Sequence, residues 1–157
     1  MVEINKTITL KLIFLISIIA LSSAFFIEHV LGHQPCNLCI LERIPYLLAM
    51  IIIVLNYKFV HFEKNFILLL SLIFLVATFL SLYHLGIEQG YIRESLVCDL
   101  KNGANLLSKE DILKQLQQKN VSCQDVTFKI FGLSLTTYNI IISLLITIIT
   151  TKMYFDY

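Results

Sequence analysis

The sequence predicts an all-α membrane protein: a four-transmembrane-helix bundle with two extracytoplasmic cysteine loops. Three observations predict it. Hydrophobic residues make up 57% of the 157-residue chain against 15% charged, and the mean hydropathy is +0.81, more apolar surface than a soluble domain of this size can hide. Four apolar runs each approach the roughly 20 residues needed to cross a hydrocarbon core. All four cysteines fall in the two polar connections on one face, and none in the opposite connection or the tails.

The chain reads as a single integral membrane domain, residues 1–157. Its first span runs from about Leu10 to Val30, interrupted by Lys11 near its start and by Glu28-His29 at its end. Lys6, Lys11 and the small residues Ser22-Ser23-Ala24 resemble a signal peptide, but the apolar run continues through Phe25, Phe26 and Ile27, which favours an uncleaved span. The second span runs from about Cys39 to Tyr57. Counted from Pro45 it would be too short, so the helix must begin at the cysteine pair, with Pro45 kinking or breaking it. The third span covers Phe66 to Leu85 and the fourth about Leu133 to Met153. Ile, Leu and Phe fill these runs without alternation and over lengths too great for strands, so helices that satisfy their own backbone groups are expected.

The loops on the cysteine side cover about residues 31–38 and 86–132. In the longer one, Ser108-Lys109-Glu110-Asp111 starts like a capping box and precedes Ile112, Leu113 and Leu116 at helical spacing. A short amphipathic helix from about Lys109 to Lys119 is expected, packed on the loop or lying on the membrane surface. Lys6, Lys11, Lys58, Lys64 and Lys152 mark the face without cysteines. The basic residues of the cysteine face lie mostly deep in the long loop, where the positive-inside rule weakens. Disulfides persist outside the cytosol, so both tails are expected to be cytoplasmic and both cysteine loops extracytoplasmic. A net charge of +1 gives no reason to expect nucleic acid.

The sulfurs carry the chemistry. Pro35 fixes the chain ahead of Cys36-Asn37-Leu38-Cys39, and a thiolate at a helix start is stabilised by exposed N–H groups. A disulfide across four residues removes little chain entropy. The loop-entropy relation gives about 2 kcal/mol for it and about 3.5 kcal/mol for a ring closed by Cys98 and Cys123. The Cys-x-x-Cys is thus a weak fastener and a good switch. Cys98 and Cys123 sit among polar, turn-forming residues; alone they read as a structural disulfide, and beside a second pair on the same face as an exchange partner. No haem, iron–sulfur or dinucleotide motif is present to take electrons. A lipid-soluble oxidant such as a quinone is the sink that the location suggests. Arg43, at i+4 from Cys39, would place a positive charge beside it. Read alone, Arg43 is an interfacial arginine or a partner of Glu42.

Pro35-Cys36-Asn37-Leu38-Cys39-Ile40-Leu41-Glu42-Arg43, preceded by His29, resembles the Pro-Cys-x-Leu-Cys-x-x-x-Arg signature of the disulfide bond formation protein B (DsbB) family. Tyr83-His84, Glu88-Gln89-Gly90, Cys98, Cys123 and Phe131-Gly132-Leu133 extend the resemblance over almost the whole chain. It implies a four-helix bacterial inner-membrane protein that reoxidises a periplasmic DsbA-like thiol oxidase and reduces ubiquinone or menaquinone. It implies that Cys98 accepts attack from the partner, that Cys123 passes electrons to Cys36, and that Cys39 is the thiolate that contacts quinone with Arg43 as its charge partner. The family's quinone-linked histidine late in the third helix falls by position nearer Gln89 than His84. Both are candidates, and His84 read alone is a helix-end histidine satisfied by backbone or water.

Two other classes compete. His29-x-x-x-His33-x-x-Cys36-x-x-Cys39 offers metal ligands at usable spacing, and the four cysteines would suit a closed zinc site. An oxidising compartment and the intervening Pro35 argue against both, so no metal is expected. A non-catalytic four-span protein with two structural disulfides is the remaining class.

Overall fold

A computed structural model of the protein describes residues 6–93, 123, 129, 130 and 132–156. Among the described residues, four helical segments are long and apolar enough to cross a membrane. Helix α1 is Lys6–His29. The second segment is divided into α2, Asn37–Leu41, and α3, Ile44–Lys58. A 3-10 turn, Val60–Phe62, leads into α4, Glu63–Glu88. A two-stranded antiparallel ladder, β1 (Lys129–Ile130) and β2 (Leu133–Ser134), precedes α5, Leu135–Phe155. Cys98 and the expected Lys109–Lys119 helix lie outside the described residues.

The break between α2 and α3 follows from Pro45. Proline has no N–H to offer the Leu41 carbonyl, and its ring crowds that carbonyl. Helix α2 therefore ends at Leu41, Glu42 and Arg43 form a turn, and Pro45 sits in the first turn of α3, where proline is tolerated. The turn is tight: the Arg43 N–H donates to the Ile40 carbonyl at 3.1 Å.

Helix α4 continues past Leu85, where the apolar run stops, to Glu88. Its polar last turn is covered by the bundle, so hydropathy understates it. Ile87 and His84 are buried there. Gly90, at φ +76°, closes the helix in the left-handed conformation that glycine adopts without a Cβ penalty. Helix α5 starts at Leu135 because Ser134 caps it, its Oγ accepting from the Thr137 N–H at 3.4 Å.

The helices expose large apolar side chains such as Leu12, Ile19, Leu72, Val76, Phe79 and Ile148, as a lipid solvent permits. Inside the bundle α1 packs on α3, α3 on α4, and α4 most extensively on α5. Small hydroxyl residues bring α4 and α5 close. Ser71 and Thr151 share a hydrogen bond of 2.7 Å, and Thr78 donates to Ser143 at 3.2 Å. Ser143, Thr147 and Thr150 also donate back to their own helix, so these hydroxyls are satisfied within the bundle. Apolar Ile67, Leu70 and Phe74 complete the α4 face, with Tyr46 of α3 edge-on to Phe74.

Ser143 is fully buried at the α4–α5 contact, so a larger side chain there must separate the helices. Ser143→Leu should lower unfolding free energy in detergent by about 1–3 kcal/mol, and Ser143→Ala by less than about 1 kcal/mol. Denaturant titration of the purified variants checks the order of these two effects.

Candidate functional site: a thiol pair above a buried polar cluster

The C-terminal ends of α1 and α4 meet the starts of α2 and α5 at one end of the bundle, and the thiols lie there. Cys36 caps α2, its Sγ accepting from the Cys39 N–H at 3.2 Å. Both Cys36 and Cys39 are free thiols. Cys36 is buried and Cys39 half-buried. Cys123 is disulfide-bonded. It is buried in the same small apolar cluster as Cys36, with Leu38 and Ile87, against which Cys39, Leu80 and Tyr83 pack.

His84 is not a helix-end histidine satisfied by backbone or water. It is 1% exposed, and its Nε2 lies 3.5 Å from the Cys36 Sγ. Its Nδ1–H donates to Glu42 Oε1 at 2.8 Å, with the Thr136 hydroxyl also in reach at 3.4 Å. A carboxylate can only accept, so Glu42 keeps the proton on Nδ1 and turns Nε2 toward the sulfur. The other Glu42 oxygen accepts from Asn139 Nδ2 at 3.0 Å. Asn139 donates to Ser81 at 2.8 Å and accepts from the Tyr46 hydroxyl at 2.5 Å. One polar network thus joins α3, α4, α5 and the turn after α2.

Glu88 extends the network by one helical turn. Its Oε1 accepts from the Thr136 hydroxyl at 2.5 Å and lies 3.8 Å from His84 Nε2. Arg43 does not pair with Glu42. Its Nη1 donates to Glu28 Oε2 at 2.6 Å, and its guanidinium lies 5.2 Å from the centre of the Phe25 ring. Gln89 forms the C-cap of α4, exposed to solvent. His29 is exposed and bonds the Phe25 carbonyl through Nδ1.

The Cys36 thiol is held down to about 5. The hydrogen bond from the Cys39 side chain contributes most. The hydrogen bond and charge of His84 and the Cys39 N–H act in the same direction, and burial opposes them. In the dithiol state the negative charge therefore sits on Cys36, whereas the family resemblance implies it on Cys39.

A cavity of about 880 Å³ opens beside the thiols. Residues Thr9 to Ile27 of α1 form one wall and Leu135 to Ile149 of α5 the other. The eighteen helical rises from Thr9 to Ile27 span roughly 27 Å, so the cavity follows most of the membrane thickness. Its walls are largely aliphatic. Its polar end holds Cys36, Cys39, Glu42, Arg43, His84, Glu88 and Cys123. An elongated apolar molecule with a polar head matches this shape and lining. For a metal, the two sulfurs and a His84 nitrogen lie within 4.8 Å of one another; the compact ligand set uses His84, which is remote in sequence from the thiol pair.

Sequence reasoning named Cys36, Cys39, Cys123, Arg43 and His84 and missed Glu28, Thr136 and Asn139 as their partners. The signal for Glu28 was available, since a carboxylate at the edge of a span needs a cation. The family model described as disulfide bond formation protein DsbB matches residues 6–153. An uncharacterized protein of Rickettsia prowazekii (strain Madrid E) is 32% identical over 145 residues, covering 88% of this chain and 81% of that protein.

Alkylation of the reduced protein tests the charge on Cys36. The depressed thiol is thiolate above about pH 5, so iodoacetamide should modify Cys36 at a rate that rises through that pH and is level at neutrality. Cys39→Ala should move the midpoint upward most and His84→Ala less. A midpoint unmoved by either change would contradict the assignment.

Proposed function

Given that the chain belongs to the disulfide bond formation protein DsbB family, a membrane thiol:disulfide oxidoreductase, we propose that it reoxidises a DsbA-like periplasmic thiol oxidase and passes the electrons to a membrane quinone. The reading places it in the bacterial inner membrane with both termini cytoplasmic. The observation that carries it is the juxtaposition of a depressed-pKa thiol, a disulfide-bonded cysteine and a lipid-depth apolar cavity at one end of the bundle.

In this reading the partner's thiolate attacks Cys98 of a Cys98–Cys123 disulfide. The released Cys123 attacks Cys36 of an oxidised Cys36–Cys39 pair, and their packing in one cluster supports that step. Cys39 leaves as the thiolate, at the cavity wall. A bound quinone, ubiquinone or menaquinone, supplies the two-electron oxidant there. The residues fit such a group: aliphatic α1 and α5 walls suit an isoprenoid tail, and Arg43 and His84 are the polar groups that would meet its ring oxygens. Arg43 is held in place by Glu28 and Phe25, so its charge is presented without a reorganisation cost at the moment of reaction.

The free thiols Cys36 and Cys39 count against two purely structural disulfides. Metal binding has one observation in its favour, the Cys36–Cys39–His84 cluster; stoichiometric zinc in the purified protein would support it.

Anaerobic mixing with a reduced DsbA-like donor and ubiquinone or menaquinone, followed by quinone absorbance, tests the proposal. Wild type should turn over, and Cys36→Ser and Cys39→Ser should each abolish quinone reduction. Arg43→Ala should raise the apparent KM for quinone by roughly tenfold or more, the loss of a charge-assisted contact. Full turnover in both cysteine variants would rule the relay out.

A further inference from the structure

We propose that Glu88 relays a proton from the His84–Cys36 pair to the electron acceptor held in the cavity, a protonated Oε2 giving up its proton to the acceptor as Oε1 takes up another from His84. The inference rests on the acceptor reading above and assigns a residue to the proton half of that reaction.

Glu88 is a carboxyl whose side chain is only 8% exposed, and burial of that kind makes its charge costly. Its Oε1 has two neighbours, the Thr136 hydroxyl at 2.5 Å and His84 Nε2 at 3.8 Å. Its Oε2 is buried and has no hydrogen-bond partner among the described residues. An unsatisfied buried oxygen is expensive in a finished structural network. At the wall of a ligand cavity it is instead a group awaiting a partner. The partner that suits a protonated carboxyl is an acceptor oxygen, and a quinone carbonyl is one.

The geometry orders the transfer. Glu42 holds His84 Nδ1–H, so Nε2 is the nitrogen that exchanges protons. It lies between the Cys36 sulfur at 3.5 Å and Glu88 Oε1 at 3.8 Å. The proton that leaves Cys36 is held on Nε2 and moves to Glu88. Thr136 steadies Oε1 from α5, and among the described residues no ionisable group other than His84 lies against Glu88. The overall step balances. The Cys36–Cys39 dithiol forms one S–S bond and gives up two electrons and two protons, one by way of His84 and Glu88 and one from Cys39 at the cavity wall. The quinone gains two electrons and two protons.

The test compares wild type, Glu88→Gln and Glu88→Asp in two measurements. In single-turnover mixing of the reduced protein with saturating quinone, Glu88→Gln, whose amide can still donate to the quinone carbonyl but cannot pass on a proton, should oxidise its dithiol roughly a hundredfold or more slowly. Glu88→Asp, which keeps the carboxyl, should recover most of the rate. Independently of quinone, the reduced-minus-oxidised infrared difference spectrum of wild type should contain a carboxylic-acid carbonyl band that is missing in Glu88→Gln. Wild-type rates in Glu88→Gln, or a difference spectrum identical to wild type, would overturn the role of Glu88 while leaving the acceptor reading intact. Failure of wild type to pass electrons to any quinone would overturn the acceptor reading, and this inference with it.

Discussion

The carboxylate of Glu42 is the constraint from which the site is built. It lies where Pro45 forces the second span to break, so the turn delivers it inward and not along a helix face. Both its oxygens are engaged, one by His84 of α4 and one by Asn139 of α5. A nearly buried charge of this kind is tolerable only when its oxygens are hydrogen-bonded. Bonding them fixes the imidazole, the register of α4 against α5 and the position of the preceding thiols together.

Electrostatics then follow from placement. The imidazole cannot turn Nε2 away from Cys36 without abandoning Glu42. Cys36 caps α2, and the Cys39 thiol and N–H both point at its sulfur. These contacts outweigh burial and make Cys36 the charged member of the reduced pair. Arg43, one residue past Glu42, is directed to the opposite wall and held by Glu28 of α1. Adjacent residues of one turn therefore serve two helices, one closing the bundle and one lining the cavity between α1 and α5.

Much of this was legible in the sequence. Span lengths and the Cys-x-x-Cys are local patterns, and Pro45 announced its own break. The choice between His84 and Gln89 needed the helix phase. Ala77, Ser81, His84 and Glu88 recur at three- and four-residue steps and share the inward face, whereas Gln89 is turned away from it. The same reading of Ser71, Thr78, Ser143, Thr147 and Thr150 would have revealed the close α4–α5 contact. Asn139 and Thr136 were out of reach, because their partners lie on other spans and no spacing rule connects them.

The proposed relay depends on the two sulfur couples communicating through Cys36 and Cys123. The most direct measurement uses wild-type protein stripped of quinone. It is mixed with one equivalent of a reduced DsbA-like donor, quenched by alkylation and digested for mass spectrometry. A Cys36–Cys123 cross-linked peptide with Cys39 alkylated is expected. Reduction of the loop disulfide with Cys36 found only as a thiol or paired to Cys39 would contradict the relay.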